Sequence, residues 1–247
     1  MKKARERLDL LLVERGMCET VEIARAVILA GEISVNGEKA AKSGEPVPCD
    51  CVIEVKKRFP YVGRGALKLI EALDHFKIDP AGKTAIDIGA STGGFTQVLL
   101  ERGASKVYAV DSGTNQLDWL LRRDPRVTVM ENTNARYLTP EMFPEKPEIA
   151  VIDVSFISIT KILKAVKDIL TGDYVIIALV KPQFELEREY VGPGGVADPA
   201  FREQAVSKII DFASGIGLEA EESIESPITG LKSGNVEYLA VFRKEML

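Results

Sequence analysis

The chain has one histidine, His75, among 247 residues. That scarcity excludes a Ser-His-Asp relay, a paired-His metal site and most zinc enzymes. Catalysis would have to run on Lys, Asp, Glu, Ser, Tyr or a bound cofactor. Cysteine is scarce as well. Cys18, Cys49 and Cys51 form an odd set with no disulfide framework, which points to a reducing, cytoplasmic setting. Cys49-Asp-Cys51 is a lone C-x-C with no histidine near it, so no metal site is expected. Long apolar runs are missing: Tyr174 to Val180 is the longest, far short of the roughly 18 residues that a membrane span needs. The opening MKKARERLDL is charged and has no apolar h-region, so no secretory signal is expected. No strong excess of basic charge is present either. The net charge is -5, with 11 basic and 10 acidic residues through position 60 and 21 against 27 beyond it. A bulk nucleic-acid coater would be far more basic. RNA binding would have to use local patches.

What is present is an ordered alternation. Residues 7 to 55 read as two short helices, Leu8 to Arg15 and Val21 to Ala30, followed by a small sheet. Thr20 is placed to cap the second helix, and Asn36-Gly37 to turn a hairpin after Ile33 to Val35. Glu45 to Pro48 reads as a loop and Cys51 to Val55 as a strand. The charged, Pro- and Gly-bearing stretch KKRFPYVGRG marks a boundary near residue 60, giving domains 1–60 and 61–247. Beyond it, apolar strand patterns at 84–90, 106–111, 126–131, 149–156, 173–184 and 234–242 alternate with helical ones. That alternation predicts an α/β fold, with a parallel sheet covered on both faces.

Two motifs carry chemistry. Asp87-Ile-Gly89-Ala-Ser91-Thr92-Gly93-Gly94-Phe95 is a Gly-rich turn between a strand and a helix, where nucleotides bind in doubly wound sheets. Its G-x-x-x-G-G spacing lacks the G-x-G-x-x-G that cradles a pyrophosphate. Asp111, ending the next strand, is spaced to take ribose hydroxyls. A nucleoside without a diphosphate points to S-adenosylmethionine over NAD. The second motif is a set of charges, Lys68, Asp153, Lys181 and Glu237, in or at the ends of apolar elements, Glu237 being read as lying within the last strand. Charge in such places is costly unless paired.

On these residues the chain resembles the FtsJ-type RNA ribose 2′-O-methyltransferases, whose Lys-Asp-Lys-Glu tetrad they match. YVGRGALKL, DIGASTGGFT, VIDVSFIS, LVKPQFE and SPITG…GNVEYL occur in the order of the TlyA (hemolysin A) family. RLDLLLVERG…ARAVILAGEISVNG is similar to its N-terminal S4 domain. Thr20-Val21, Ala197 and Phe201 depart from the family pattern. The resemblance implies a Rossmann-like methyltransferase sheet behind a small α+β S4 domain. It also implies S-adenosylmethionine as cofactor and transfer of a methyl group to a ribose 2′-hydroxyl, on a cytidine, in ribosomal RNA or ribosomal subunits. Lys68, Asp153, Lys181 and Glu237 would be catalytic, with Lys181 as general base. Asp87, Gly89, Ser91, Thr92, Gly93, Gly94, Phe95, Asp111 and Asn134 would hold the cofactor. Arg5, Arg7, Arg25, Lys56, Lys57, Arg58 and Arg64 would grip RNA. Phe59 and Tyr61 could stack on unpaired bases or dock the two domains, Trp119 reads as helix packing or as an aromatic at the edge of the adenine pocket, and His75 as an ordinary helix residue. The alternative is an inactive RNA-binding ribosome-assembly factor that retains the fold. A membrane-active hemolysin is excluded by the short apolar runs.

Overall fold

The computed structural model describes residues 4–40, 42–55, 59–192, 195–196, 198–230 and 234–244. Lys56, Lys57, Arg58 and Ala197 lie outside them. Two compact units, Met1–Pro60 and Tyr61–Leu247, make up the chain.

In the first unit, β1 (Arg5–Arg7) leads into α1 (Leu8–Glu14) and α2 (Val21–Leu29). Then follow β2 (Ile33–Val35), β3 (Glu38–Lys39), β4 (Pro46–Pro48) and β5 (Ile53–Val55). Thr20 caps α2 by accepting from the Ile23 amide at 3.3 Å. Asn36 and Gly37 both take positive φ, as the predicted hairpin turn requires. Leu8, Leu11, Leu12, Ala24, Ile28, Ile33 and Ile53 build the core. One pairing escapes the sequence reading: Arg5–Arg7 pairs antiparallel with Pro46–Pro48, which reads as a loop. Prolines donate no amide and suit only an edge strand, and here the buried Val47 between them anchors a two-stranded ribbon.

The larger unit begins with α3 (Ala66–His75), then β6 (Thr84–Ile88), α4 (Gly94–Glu101), β7 (Lys106–Val110), α5 (Trp119–Arg122) and β8 (Val127–Met130). It continues through β9 (Ile149–Ile152), α6 (Leu163–Ile169), β10 (Val175–Val180), α7 (Pro182–Glu185) and α8 (Pro199–Gly215). β11 (Leu218–Ala220), β12 (Ile224–Glu225) and β13 (Tyr238–Lys244) complete it. The sheet order is β11-β13-β10-β9-β6-β7-β8, with β12 beside β13. β6, β9 and β10 are buried along their whole lengths, as strands covered on both faces must be. Along β10, Val175, Ile177 and Leu179 join one core, while Ile176, Ala178 and Val180 join the other.

The sheet is mixed, not wholly parallel. β13 runs antiparallel to β10, with Tyr238 opposite Val180. It starts four residues later than its apolar pattern suggests, so Glu237 precedes the strand and does not lie within it. Antiparallel pairing carries the start of β13 to the end of β10, beside Lys181. The helical pattern between the 149–156 and 173–184 runs divides into a 3-10 turn, Ile159–Lys161, and α6. From β6 the chain winds outward through β7 and β8, then returns to the other side of β6 as β9. The carboxyl ends of β6 and β9 therefore flank the switch point, where open α/β sheets bind ligands.

Candidate active site

Four elements deliver the four charges to that edge. Lys68 sits on the buried stripe of α3, among Ala66, Leu69, Ala72 and Leu73. Asp153 follows β9, Lys181 follows β10 and Glu237 precedes β13. Lys68 Nζ meets Glu237 Oε2 at 2.6 Å and Asp153 Oδ2 at 3.9 Å. Lys181 Nζ meets Asp153 Oδ1 at 2.5 Å and donates to Ser155 Oγ at 2.9 Å. Lys68, Lys181 and Glu237 are buried, and Asp153 is half-buried. Cation and anion alternate along this row, so each desolvated charge has an opposite neighbour. Removal of any one would strand another.

Beside the row, a cavity of about 470 Å³ opens at the ends of β6, β7 and β9. Of the residues expected to hold a cofactor, Gly89, Ser91, Asp111 and Asn134 line it, together with Asp153 and Ser155. Val110, Ile157 and Ile162 supply an apolar strip. Asp111 accepts from the Ser91 amide at 2.8 Å through one oxygen and from the Gly113 amide at 2.7 Å through the other. Each oxygen keeps a lone pair, so the fixed carboxylate suits two adjacent hydroxyls. Gly89 has φ +86, and a Cβ there would stand 2.4 Å from the Asp153 carbonyl oxygen. The missing side chain thus lets β6 and β9 close together.

The remaining turn residues are not among those that line the cavity. Asp87 is fully buried: Oδ2 accepts from Thr96 Oγ1 at 2.7 Å, and Oδ1 has no hydrogen-bond partner. Burial pushes its carboxyl up to about 7, with the charges of Asp153 and Asp111 in the same direction and the Thr96 bond opposing. A Cβ on Gly93 would strike Leu121 and Leu117, and one on Gly94 would crowd the Ala66 amide and the Gly63 carbonyl. These glycines serve close packing of α4. Phe95 belongs to the core, and the Thr92 carbonyl accepts from the Asp118 amide.

Arg64 is exposed just before α3. Tyr61 packs against the core of the larger unit, and Phe59 is exposed. Trp119 does not pack as a core helix residue: it is 65% exposed, with the Arg123 guanidinium 5.7 Å from its ring. α5 is only four residues long and leaves its first turn outside. His75 is exposed and stacks edge-on with Phe76. Among the described residues no His, Cys, Asp or Glu group is arranged to hold a metal. None of the described helices is long and apolar enough to cross a membrane.

In the first unit the described arginines have partners. Arg7 Nη2 and Arg25 Nε both reach Oδ2 of the buried Asp9, at 2.7 and 2.9 Å. The Arg7 bond, seconded by Arg25, holds the Asp9 carboxyl well below the usual carboxylate range, although burial opposes. Arg5 donates to the Pro46 carbonyl. Asp9 is therefore the organiser of two cations. Sequence reasoning missed it because its contact with Arg25 spans 16 positions. It also missed Glu131, which accepts from the amides of Asn115, Gln116 and Leu117 and pairs with Arg122. These bonds fix the loop that carries Gly113 and Gln116 into the cavity wall. Ser155 was missed as well; its only signal was its place two residues after Asp153.

Known proteins share both parts. The FtsJ-like methyltransferase family matches residues 61–244, and the S4 domain matches residues 6–48. The YqxC protein of Bacillus subtilis is 47% identical over 242 residues, covering 97% of this chain and 86% of its own. The Mycobacterium tuberculosis protein TlyA, named as a 16S/23S rRNA (cytidine-2′-O)-methyltransferase, is 43% identical over 244 residues, 98% of this chain and 91% of that one. A solved structure from Streptococcus thermophilus superposes with a TM-score of 0.75 at 44% identity, covering 98% of this chain and 89% of the other. With its tetrad and cavity at the switch point of the sheet, and an S4 domain ahead of it, the chain belongs to the TlyA family of FtsJ-like methyltransferases.

Proposed function

We propose that this protein is an S-adenosylmethionine-dependent methyltransferase that modifies a ribose 2′-hydroxyl of ribosomal RNA, on a cytidine, in the cytoplasm. The observation that carries this reading is the alternating row Glu237–Lys68–Asp153–Lys181, set against a cavity whose anchored carboxylate suits a ribose. Asp111, Gly89, Ser91 and Asn134 would hold the cofactor, which when bound supplies an electrophilic methyl group. A ribose hydroxyl is a weak nucleophile, and Lys181 takes its proton as the oxygen attacks. A lysine serves as a base only in its neutral form. Asp153 orients Lys181 from one side and Lys68 from the other, and Glu237 anchors Lys68. The S4 unit supplies cations for RNA phosphates through Arg5, Arg7 and Arg25, with Lys56, Lys57, Arg58 and, in the larger unit, Arg64 as further candidates. Phosphate contacts of this kind fix register without reading sequence.

The test is methyl transfer by the full chain to ribosomal subunits and to naked ribosomal RNA, with the product mapped by reverse-transcription stops. Transfer to a cytidine ribose is expected. Lys181→Met should lower turnover by about 100-fold or more while cofactor affinity stays near that of the parent. Cofactor binding without methyl transfer to either substrate would favour an assembly factor instead. Near-normal turnover of Lys181→Met would remove Lys181 as the base.

A further inference from the structure

Lys181 has a partner outside the tetrad, Ser155, whose hydroxyl accepts from Nζ at 2.9 Å. Ser155 is exposed and lines the cavity. Resting on the function proposed above, we propose that Ser155 is a positioning residue that aims the Lys181 lone pair at the substrate hydroxyl.

The argument is an inventory of protons. A neutral lysine amine has two N–H groups and one lone pair in a tetrahedral arrangement. Asp153 Oδ1 and Ser155 Oγ provide two acceptors, at 2.5 and 2.9 Å. With both N–H groups engaged, rotation about Cε–Nζ stops and the lone pair has one direction left. Asp153 alone would leave the second N–H unassigned, and the lone pair would be divided between two directions. In the charged state the carboxylate holds the ammonium by Coulomb attraction. In the neutral, reactive state that attraction lapses to an ordinary hydrogen bond, so the second acceptor gains weight when the base has to act.

The backbone keeps the two residues in register. Phe156, next to Ser155, has φ 66, a left-handed conformation that is costly for an aromatic residue and turns the chain sharply. Two residues later the loop is fastened. The buried Glu185 accepts from Ser158 Oγ at 2.5 Å and from the Ile159 amide at 2.9 Å. Glu185 ends α7, whose N-cap is Lys181. The loop that carries Ser155 and the helix that Lys181 opens are thus tied by a charge-assisted pair of bonds.

The test compares Ser155→Ala and Ser155→Thr in the full chain. Ser155→Ala should lower kcat about three- to tenfold, the scale of one lost hydrogen bond. Tm should stay at the parental value, because the side chain is exposed and the alanine leaves no cavity, and any change in Kd for S-adenosylmethionine should be smaller than the fall in kcat. Ser155→Thr restores the acceptor and should return kcat to within about twofold. A second readout needs no turnover. In protein labelled with ¹⁵N-lysine, with the Lys181 signal assigned through Lys181→Met, Ser155→Ala should speed exchange of the Nζ protons with water. An unchanged kcat and exchange rate in Ser155→Ala, or a Thr variant as impaired as Ala, would overturn the proposal. So would a fall in Tm and cofactor affinity that accounts for the lost rate. If the parental protein transfers no methyl group at all, the proposed function falls, and the exchange measurement still decides whether Ser155 holds Lys181.

Discussion

Raising the pH from 4 to 8 should weaken the larger unit through Asp87. Its carboxyl is fully buried, accepts one bond from Thr96 and has an oxygen with no hydrogen-bond partner. Burial raises it from 3.8 to about 7. The folded state therefore prefers the protonated acid, and its contribution is fully present below pH 3.8. As pH rises the unfolded chain ionises first. Stability is lost through the interval and levels off above about 7. The gap between the two values corresponds to about 4 kcal/mol. Other carboxylates, Asp9 and Glu131 among them, are held low and strengthen the fold as they ionise at the acid end. The informative quantity is thus the difference between the parent and Asp87→Asn. The amide keeps an acceptor for Thr96 Oγ1 and never ionises. Urea unfolding followed by far-ultraviolet circular dichroism at pH 4 and pH 8 should show the parent losing about 4 kcal/mol relative to the variant. Parallel pH curves for the two proteins would refute the reasoning.

Gly89→Ala should destabilise by about 2–5 kcal/mol, combining left-handed backbone strain with overlap on a rigid carbonyl. A fall in Tm of about 4–20 °C is the expected readout, and an unchanged Tm would mean that β6 and β9 yield freely. Asp111→Ala removes two acceptors and should weaken S-adenosylmethionine binding about five- to hundredfold in calorimetry. Unchanged affinity would remove Asp111 as the ribose anchor.

Burial on both faces made the sheet readable, because Thr84–Ile88, Ile149–Ile152 and Val175–Val180 are near-continuous apolar runs. Lys68 was readable as a charge in or at the end of an apolar element. Strand direction was not, since apolar runs look alike either way, and the chain from β10 to β13 passes through α8, β11 and β12. Glu237 was therefore assigned to a strand that begins one residue after it. The Gly-rich turn signalled close approach correctly but not what approaches: Leu121 and Ala66 lie against Gly93 and Gly94. The pairing of Arg7 and Arg25 on Asp9 and the bond from Lys181 to Ser155 depend on nonlocal geometry. No periodicity encodes such contacts. Edge strands of two or three residues, such as Glu38–Lys39 and Ile224–Glu225, are too short to show a pattern.

The place of β13 within the sheet bears on how the molecule is made. Although β13 follows every other strand in the sequence, it lies between β10 and β11, with β12 also paired to it. During synthesis β10 is left with an open edge whose amides and carbonyls have no neighbour until β13 emerges. Open edges of this kind invite pairing with other chains, and long-range pairing of strands is slow. The same late strand brings Glu237 to Lys68, so the buried ammonium lacks its nearest counter-charge until then. A nascent chain that stalls before β13 would thus present both an adhesive strand and a Lys68 left with Asp153 as its more distant counter-charge. The assembled sheet hides both in one step.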